Sequence, residues 1–207
     1  MILSVIKQTI GAATLVAALL LPAAAFAAKG NIEAGKAKAV EYCAACHGDA
    51  GLAIIPGTPD LAGNMDSYIQ WQMVFYRSGR RHNENMDAVV VDITDEEIRD
   101  LGAYYASLPP DLAPPKPDPN PALASAGKAI VDSHHCANCH TDTFAGKAAA
   151  ARIARQHEDY LVKALGDYRS GARPSTGVAA MSEAASGLSD SDIAAVAHYL
   201  AYLPLTP

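Results

Sequence analysis

The sequence predicts an all-α protein built as two tandem small helical domains, and three observations carry that prediction. The pattern Cys-x-x-Cys-His occurs twice, as Cys43-Ala44-Ala45-Cys46-His47 and as Cys136-Ala137-Asn138-Cys139-His140. The repeat extends well beyond it: Ala34-Gly35-Lys36 returns as Ala126-Gly127-Lys128, and Tyr76-Arg77-Ser78-Gly79 returns unchanged as Tyr168-Arg169-Ser170-Gly171. No stretch sustains the apolar–polar alternation of a strand. Two copies make two domains and not a solenoid, which needs at least about three.

Taken in order, residues 1–27 read as a secretory signal peptide. Lys7 precedes an apolar run from Ile10 to Leu21, and Ala25-Phe26-Ala27 forms an A-x-A cleavage site. The run is shorter than the ~20 residues of a spanning helix, so cleavage before Ala28 is expected and the mature chain carries no transmembrane segment. The first domain is assigned to residues 28–108. It holds a helix over 32–42 entering the first motif, a second over 66–78, and a third over 95–107. Thr94-Asp95-Glu96-Glu97 opens the third with a capping box.

Residues 109–121 contain seven prolines and are assigned to a semi-rigid linker. The second domain spans 122–207 and repeats the plan. Ser189 caps its last helix, with Asp190 and Asp192 in the first turn. Gly35 and Gly127 each cost their helix about 1 kcal/mol relative to alanine. A repeated glycine of this kind predicts a close helix crossing, with Tyr104 or Tyr105 and Tyr199 on the crossing helices.

The motif carries the chemistry. On a helix, positions i, i+3 and i+4 share a face, so two thiols and an imidazole converge. Cys-x-x-Cys-His reads as a covalent c-type haem attachment site, and the chain therefore calls for two covalently bound haem c groups. Cys43, Cys46, Cys136 and Cys139 would form the thioethers; His47 and His140 would be the proximal ligands. Two disulfides or a structural zinc would also use four cysteines, but neither explains the histidine after each second cysteine.

The sixth iron position calls for a soft thioether, which raises the reduction potential. Met86 and Met181 occupy matching positions in what reads as a loop before each final helix. His82 and His157 are the rival ligands, at positions that do not correspond. Met65 and Met73 have no methionine counterpart and read as packing residues. His134, His135 and His198 read as surface or packing residues.

A ligating histidine donates its other N–H to an acceptor. The carbonyl of Pro56 or Pro59 suits His47. Ala151 stands where Pro59 stood, so the second acceptor is expected to be less rigidly placed and the two haems to differ in potential. Arg77, Arg81, Arg169 and Arg173 are candidates to pair with haem propionates. The net charge of −6 lacks the basic footprint of a nucleic-acid-binding protein.

Two such units, a signal peptide and a proline-rich linker together resemble the dihaem cytochrome c4 family. So do Pro59-x-Leu61-Ala62-Gly63-Asn64, the doubled Tyr-Arg-Ser-Gly and Gln156-His157-Glu158-Asp159-Tyr160-Leu161. The resemblance implies two small cytochrome c folds, each with His/Met haem. It implies a periplasmic carrier of single electrons, with no catalytic residue. Its redox partners would be a donor dehydrogenase or membrane complex and an acceptor such as a terminal oxidase. The alternative is a haem-dependent oxidoreductase, or its electron-transfer subunit, with one open or exchangeable axial site.

Overall fold

A computed structural model describes residues 29–110, 117–174 and 180–203. The expected signal peptide, residues 1–27, and the middle of the expected linker, residues 111–116, lie outside the described residues. Among the described residues the regular structure is helical, apart from one isolated bridge between Lys147 and Ala150. No helix there is long and apolar enough to cross a membrane.

The first unit contains α1 (Ile32–Tyr42), α2 (Ala44–His47), α3 (Asp66–Arg77), α4 (Glu84–Val90) and α5 (Asp95–Ser107). The second contains α6 (Pro121–Ser133), α7 (Ala137–His140), α8 (Glu158–Ser170), α9 (Ala180–Ser186) and α10 (Asp190–Tyr202). Helix starts are set by side chains. Asn31 accepts from the backbone N–H groups of Glu33 and Ala34. Asn120 accepts from Leu123, with Pro121 at the first helical position, so the helix takes in the last proline assigned to the linker. The expected capping box forms at Thr94–Glu97, and the N-cap expected at Ser189 forms as a second box with Asp192. They satisfy backbone donors that a helix start otherwise leaves unpaired.

In each unit the first and last helices cross, α1 on α5 and α6 on α10. A side chain at Gly35 would run into the carbonyl of Asp100 and stand 2.9 Å from Cβ of Tyr104. One at Gly127 would meet the carbonyl of Ala195 and stand 2.7 Å from Cβ of Tyr199. The crossing expectation therefore holds, with Tyr104 rather than Tyr105 as the partner of Gly35. Below the crossing lies an apolar core: Ala39, Ile69, Met73, Val90, Ile98 and Leu101 in the first unit, and Val131, Leu161, Val196 and Leu200 in the second.

Two of the candidate arginines have a structural task. Arg77 donates to the carbonyl of Ile93 at 2.6 Å and pairs with Asp95. Arg169 donates to the carbonyl of Leu188 at 2.9 Å and pairs with Asp190. Each pins the start of its unit's last helix. His198 corrects another expectation, for it is neither exposed nor merely packed. It is buried between Asp118 (Nε2, 2.9 Å) and Glu158 (Nδ1, 3.2 Å). Burial opposes its protonation, but the two carboxylates outweigh that and raise its pKa.

Candidate functional site

Both Cys-x-x-Cys-His motifs form a short helical turn, with the second cysteine exposed, the first half-buried and the histidine buried. All four cysteines are free thiols, so the disulfide reading is not realised. Among the described residues no cluster of three or more His, Cys, Asp or Glu side chains could hold a metal ion by itself. That gives zinc no protein-only site.

His47 Nδ1 lies 2.8 Å from the carbonyl oxygen of Pro59, and His140 Nδ1 lies 2.8 Å from that of Ala151. The choice between Pro56 and Pro59 thus falls to Pro59. Alanine holds its acceptor at the same distance as proline, contrary to the looser placement expected. With Nδ1–H donated, Nε2 is the nitrogen left for iron. Burial lowers the pKa of both histidines, partly offset at His47 by the Pro59 carbonyl and the Asp60 carboxylate and at His140 by the Ala151 carbonyl. The neutral imidazole is the form that binds a metal.

The residue after each histidine turns the chain sharply. Gly48 does so at φ 72°, ψ 156°, and Thr141 at φ 71°, ψ 164°. That region is essentially reserved for glycine and strains other residues by about 1–3 kcal/mol. The buried hydroxyl of Tyr105 lies beside the Cys43 thiol.

Met86 and Met181 do not lie in loops. Met86 sits in the first turn of α4, its backbone N–H bound by the capping Asn83 at 3.1 Å, and its half-buried side chain packs on the first core. Met181 sits in the equivalent short helix α9, also half-buried. Asn83, four residues after Gly79, was the available sign of a helix start. The rival histidines are engaged elsewhere. His82 is exposed and lies 3.4 Å from Asp87, while His157 lies 3.0 Å from Asp60.

The largest surprise is how the two units meet. Arg81 donates to Gln72 and to the hydroxyl of Tyr160, at 2.7 and 3.2 Å. Arg173 donates to Gln72 at 2.8 Å and to the hydroxyls of Tyr68 and Tyr160, each at 3.4 Å. Each guanidinium also lies over a tyrosine of its own unit, Arg81 on Tyr76 and Arg173 on Tyr168, 4.5 Å from the ring centroid. Burial would raise the pKa of Tyr160, but the two guanidiniums outweigh it and lower it. Among the described residues no carboxylate pairs with either arginine.

Next to this cluster, Asn64 Oδ1 accepts from the backbone N–H of Arg152 at 3.0 Å, and Gln156 Oε1 accepts from that of Asp60 at 2.9 Å. Asn64 and Gln156 are counterparts in the repeat, and both are buried. Leu61-Ala62-Gly63-Asn64 aligns with Ile153-Ala154-Arg155-Gln156 in the repeat, but the sequence alone assigned these amides no task. Their sign was a polar amide kept at the same place in both copies, while the residue before it changed from Gly63 to Arg155.

These residues suit haem c. Each motif offers two unpaired thiols and an oriented imidazole, and Arg173, buried, and Arg81, half-buried, are cations without an acidic partner among the described residues, as a haem's propionates require.

Both units match families of known proteins. The family model for cytochrome c matches residues 124–204. The model described as cytochrome c oxidase, cbb3-type, subunit III, matches residues 30–104. Cytochrome c4 of Thiocapsa roseopersicina is 38% identical over 181 residues, covering 83% of this chain and 92% of that protein. A protein of Stutzerimonas stutzeri named thiosulfate dehydrogenase electron acceptor is 33% identical, covering 90% of this chain and 91% of its own length. The crystal structure of reduced recombinant cytochrome c4 from Pseudomonas stutzeri superimposes with a TM-score of 0.76 at 28% identity, covering 84% of this chain and 99% of that one. Two helical units of cytochrome c type, each with a covalent haem attachment motif, in a chain this similar to its relatives along their length: the protein belongs to the cytochrome c4 family of dihaem electron-transfer cytochromes.

Proposed function

We propose that the protein carries single electrons between periplasmic redox partners through two haems, each ligated by histidine and methionine. His47 with Met86 would hold the first iron, and His140 with Met181 the second. Cys43, Cys46, Cys136 and Cys139 would form the thioethers. The observation that carries this reading is the matched placement of the ligands. Both histidines donate Nδ1–H to a carbonyl at 2.8 Å, and both methionines sit in the short helix before the closing helix.

Each bound haem supplies a one-electron Fe(III)/Fe(II) couple. The chain does the rest. The carbonyls of Pro59 and Ala151 fix the imidazole orientation and tautomer. The apolar cores restrict water. Arg81 and Arg173 are placed to neutralise propionates where the units meet. With His47 and Met86 holding one iron and His140 and Met181 the other, no coordination site would remain for substrate, and the protein would make and break no substrate bond.

Export by residues 1–27 supports a periplasmic location, where covalent haem attachment and these partners would be found. A dehydrogenase is the expected donor class and a membrane complex or terminal oxidase the acceptor. The similarity to a relative named thiosulfate dehydrogenase electron acceptor favours a second form of the same reading, in which the chain serves as the electron-accepting partner of one enzyme.

The test is an optical spectrum of the purified protein, oxidised and reduced, with haem quantified per chain. Two covalent haems, a near-infrared iron–methionine band of two-site intensity and no shift with carbon monoxide are expected. A half-strength band with carbon monoxide bound to the reduced form would overturn His/Met ligation at one iron and put a haem-dependent oxidoreductase in its place.

A further inference from the structure

We propose that each domain sets the basicity of the other domain's proximal histidine through a crossed hydrogen-bond relay, with Gln156 and Asn64 as the positioning residues. The inference rests on the reading of His47 and His140 as iron ligands. The carbonyl of Pro59 and the N–H of Asp60 belong to one planar peptide group. That carbonyl accepts from His47 Nδ1 at 2.8 Å, and that N–H donates to Gln156 Oε1 of the second domain at 2.9 Å. The same pairing occurs the other way round. The carbonyl of Ala151 accepts from His140 Nδ1 at 2.8 Å, and the N–H of Arg152, in the same peptide group, donates to Asn64 Oδ1 of the first domain at 3.0 Å.

The orientation of both amides is fixed by their remaining bonds. Gln156 Nε2 donates to the carbonyl of Asp60 at 3.0 Å, and Asn64 Nδ2 donates to the carbonyls of Asp60 and Leu61, each at 3.2 Å. All four residues of the relay, Asp60, Asn64, Arg152 and Gln156, are buried, with relative exposures of 6% or less. Their bonds are shielded from competing water.

Hydrogen bonds in a chain polarise one another. Donation of the peptide N–H to the amide oxygen makes the carbonyl on the other side of the same peptide a stronger acceptor. A stronger acceptor draws the Nδ1 proton, makes Nε2 more basic and favours Fe(III) over Fe(II). The relay also accounts for the equal 2.8 Å bonds at Pro59 and Ala151. The peptide is held from both sides, so the ring of proline is not needed to place its carbonyl.

The experiment is Gln156→Leu and Asn64→Leu in the full haem-loaded protein, with the potential of each haem measured by spectroelectrochemistry. The haems are assigned from hyperfine-shifted NMR resonances of the His47 and His140 ring protons. Gln156→Leu is expected to raise the potential of the first haem and leave the second nearly unchanged. Asn64→Leu is expected to do the reverse. Each shift is expected to stay within about a tenfold change in the oxidised-to-reduced ratio, ~59 mV for a one-electron couple.

Gln156→Glu keeps an oxygen on the Asp60 N–H and adds charge, so it should shift the first haem downward; it also reads the relay if the leucine variant does not fold. Ser67→Ala, which removes only the bond from Ser67 Oγ to the carbonyl of Ala148 across the same interface, is expected to move neither potential. Equal shifts of both haems in either leucine variant would reduce the amides to interface packing and overturn the relay, as would no shift at all. Absence of hyperfine shifts on His47 or His140 in the unaltered protein would instead overturn the ligand assignment, which separates the two failures.

Discussion

The two domains reach the same site geometry with different residues, and the differences show where the fold is fixed by backbone demands and where by side chains. The first domain places glycine at three left-handed positions around its site: Gly48, Gly51 and Gly63. The second places Thr141, Phe144 and Arg155 there, at φ 71°, 55° and 57°. The backbone path is kept even where the residue pays for it in strain. Hydrogen bonds to the closing helix follow suit: the N–H of Gly63 donates to the carbonyl of Tyr105, and that of Arg155 to the carbonyl of Leu200. Side chains at matching places are freer. Ala103 of the first closing helix corresponds to His198 of the second, which alone ties its helix to two acids.

The helix crossing is the feature the domains share most closely, and breaking it should have the largest effect. Gly35→Ala and Gly127→Ala each push a methyl into a backbone carbonyl. Each is expected to destabilise its own domain by about 3 kcal/mol or more, read from chemical denaturation followed at that domain's haem. Tolerance of alanine at either position would show that the crossing is looser there than its partner.

His198→Ala makes the second domain like the first. It removes both charged hydrogen bonds and should cost that domain ~1–3 kcal/mol at pH 6. The pH dependence sharpens the contrast. The folded pKa of His198 is raised, so its stabilisation is complete below the unfolded value, about 6.5. That stabilisation is lost as pH rises through the folded pKa. The second domain's unfolding midpoint should fall over that window while the first domain's does not. His198→Ala should abolish the difference.

Thr141→Gly should work in the opposite direction. It relieves a β-branched residue of a conformation suited to glycine and is expected to stabilise the second domain by about 1 kcal/mol, visible as a higher thermal midpoint. Gly48→Ala should lower the first domain's midpoint. A neutral Thr141→Gly would mean that the strain is offset by contacts of the threonine.

The smallest effect is expected at Asp95→Asn and Asp190→Asn. These partners of Arg77 and Arg169 are 75% and 91% exposed, and exposed ion pairs contribute little. Neither midpoint should move measurably, whereas Arg77→Ala and Arg169→Ala, which also lose the carbonyl bonds to Ile93 and Leu188, should lower both by similar amounts.

Local signals were legible in the sequence because their physics is local. Thr94 with Glu97 and Ser189 with Asp192 cap their helices by contacts within three residues. The pentapeptides close one turn, and Gly35 and Gly127 repeat at the same point of their helices. The position of Met86 in a helix was missed because α4 is only seven residues long, too short for periodicity to show, although Asn83 marked its start. His198 was misread because nothing in the helix pattern shows that Asp118 and Glu158 fold against it.

By itself, then, the sequence determined the all-α class, the two-fold repeat, the haem attachment sites and the glycine crossings. Each depends on residues close in the chain or on a pattern written twice. Only the tertiary structure decided that Arg81, Arg173 and Tyr160 cluster between the domains, and that Asn64 and Gln156 reach across to the peptides behind each other's histidines. Those contacts join residues some 80 to 105 positions apart. No local propensity encodes such a distance; it is fixed only when both domains have buried their cores and the polar groups left between them must find partners in one another.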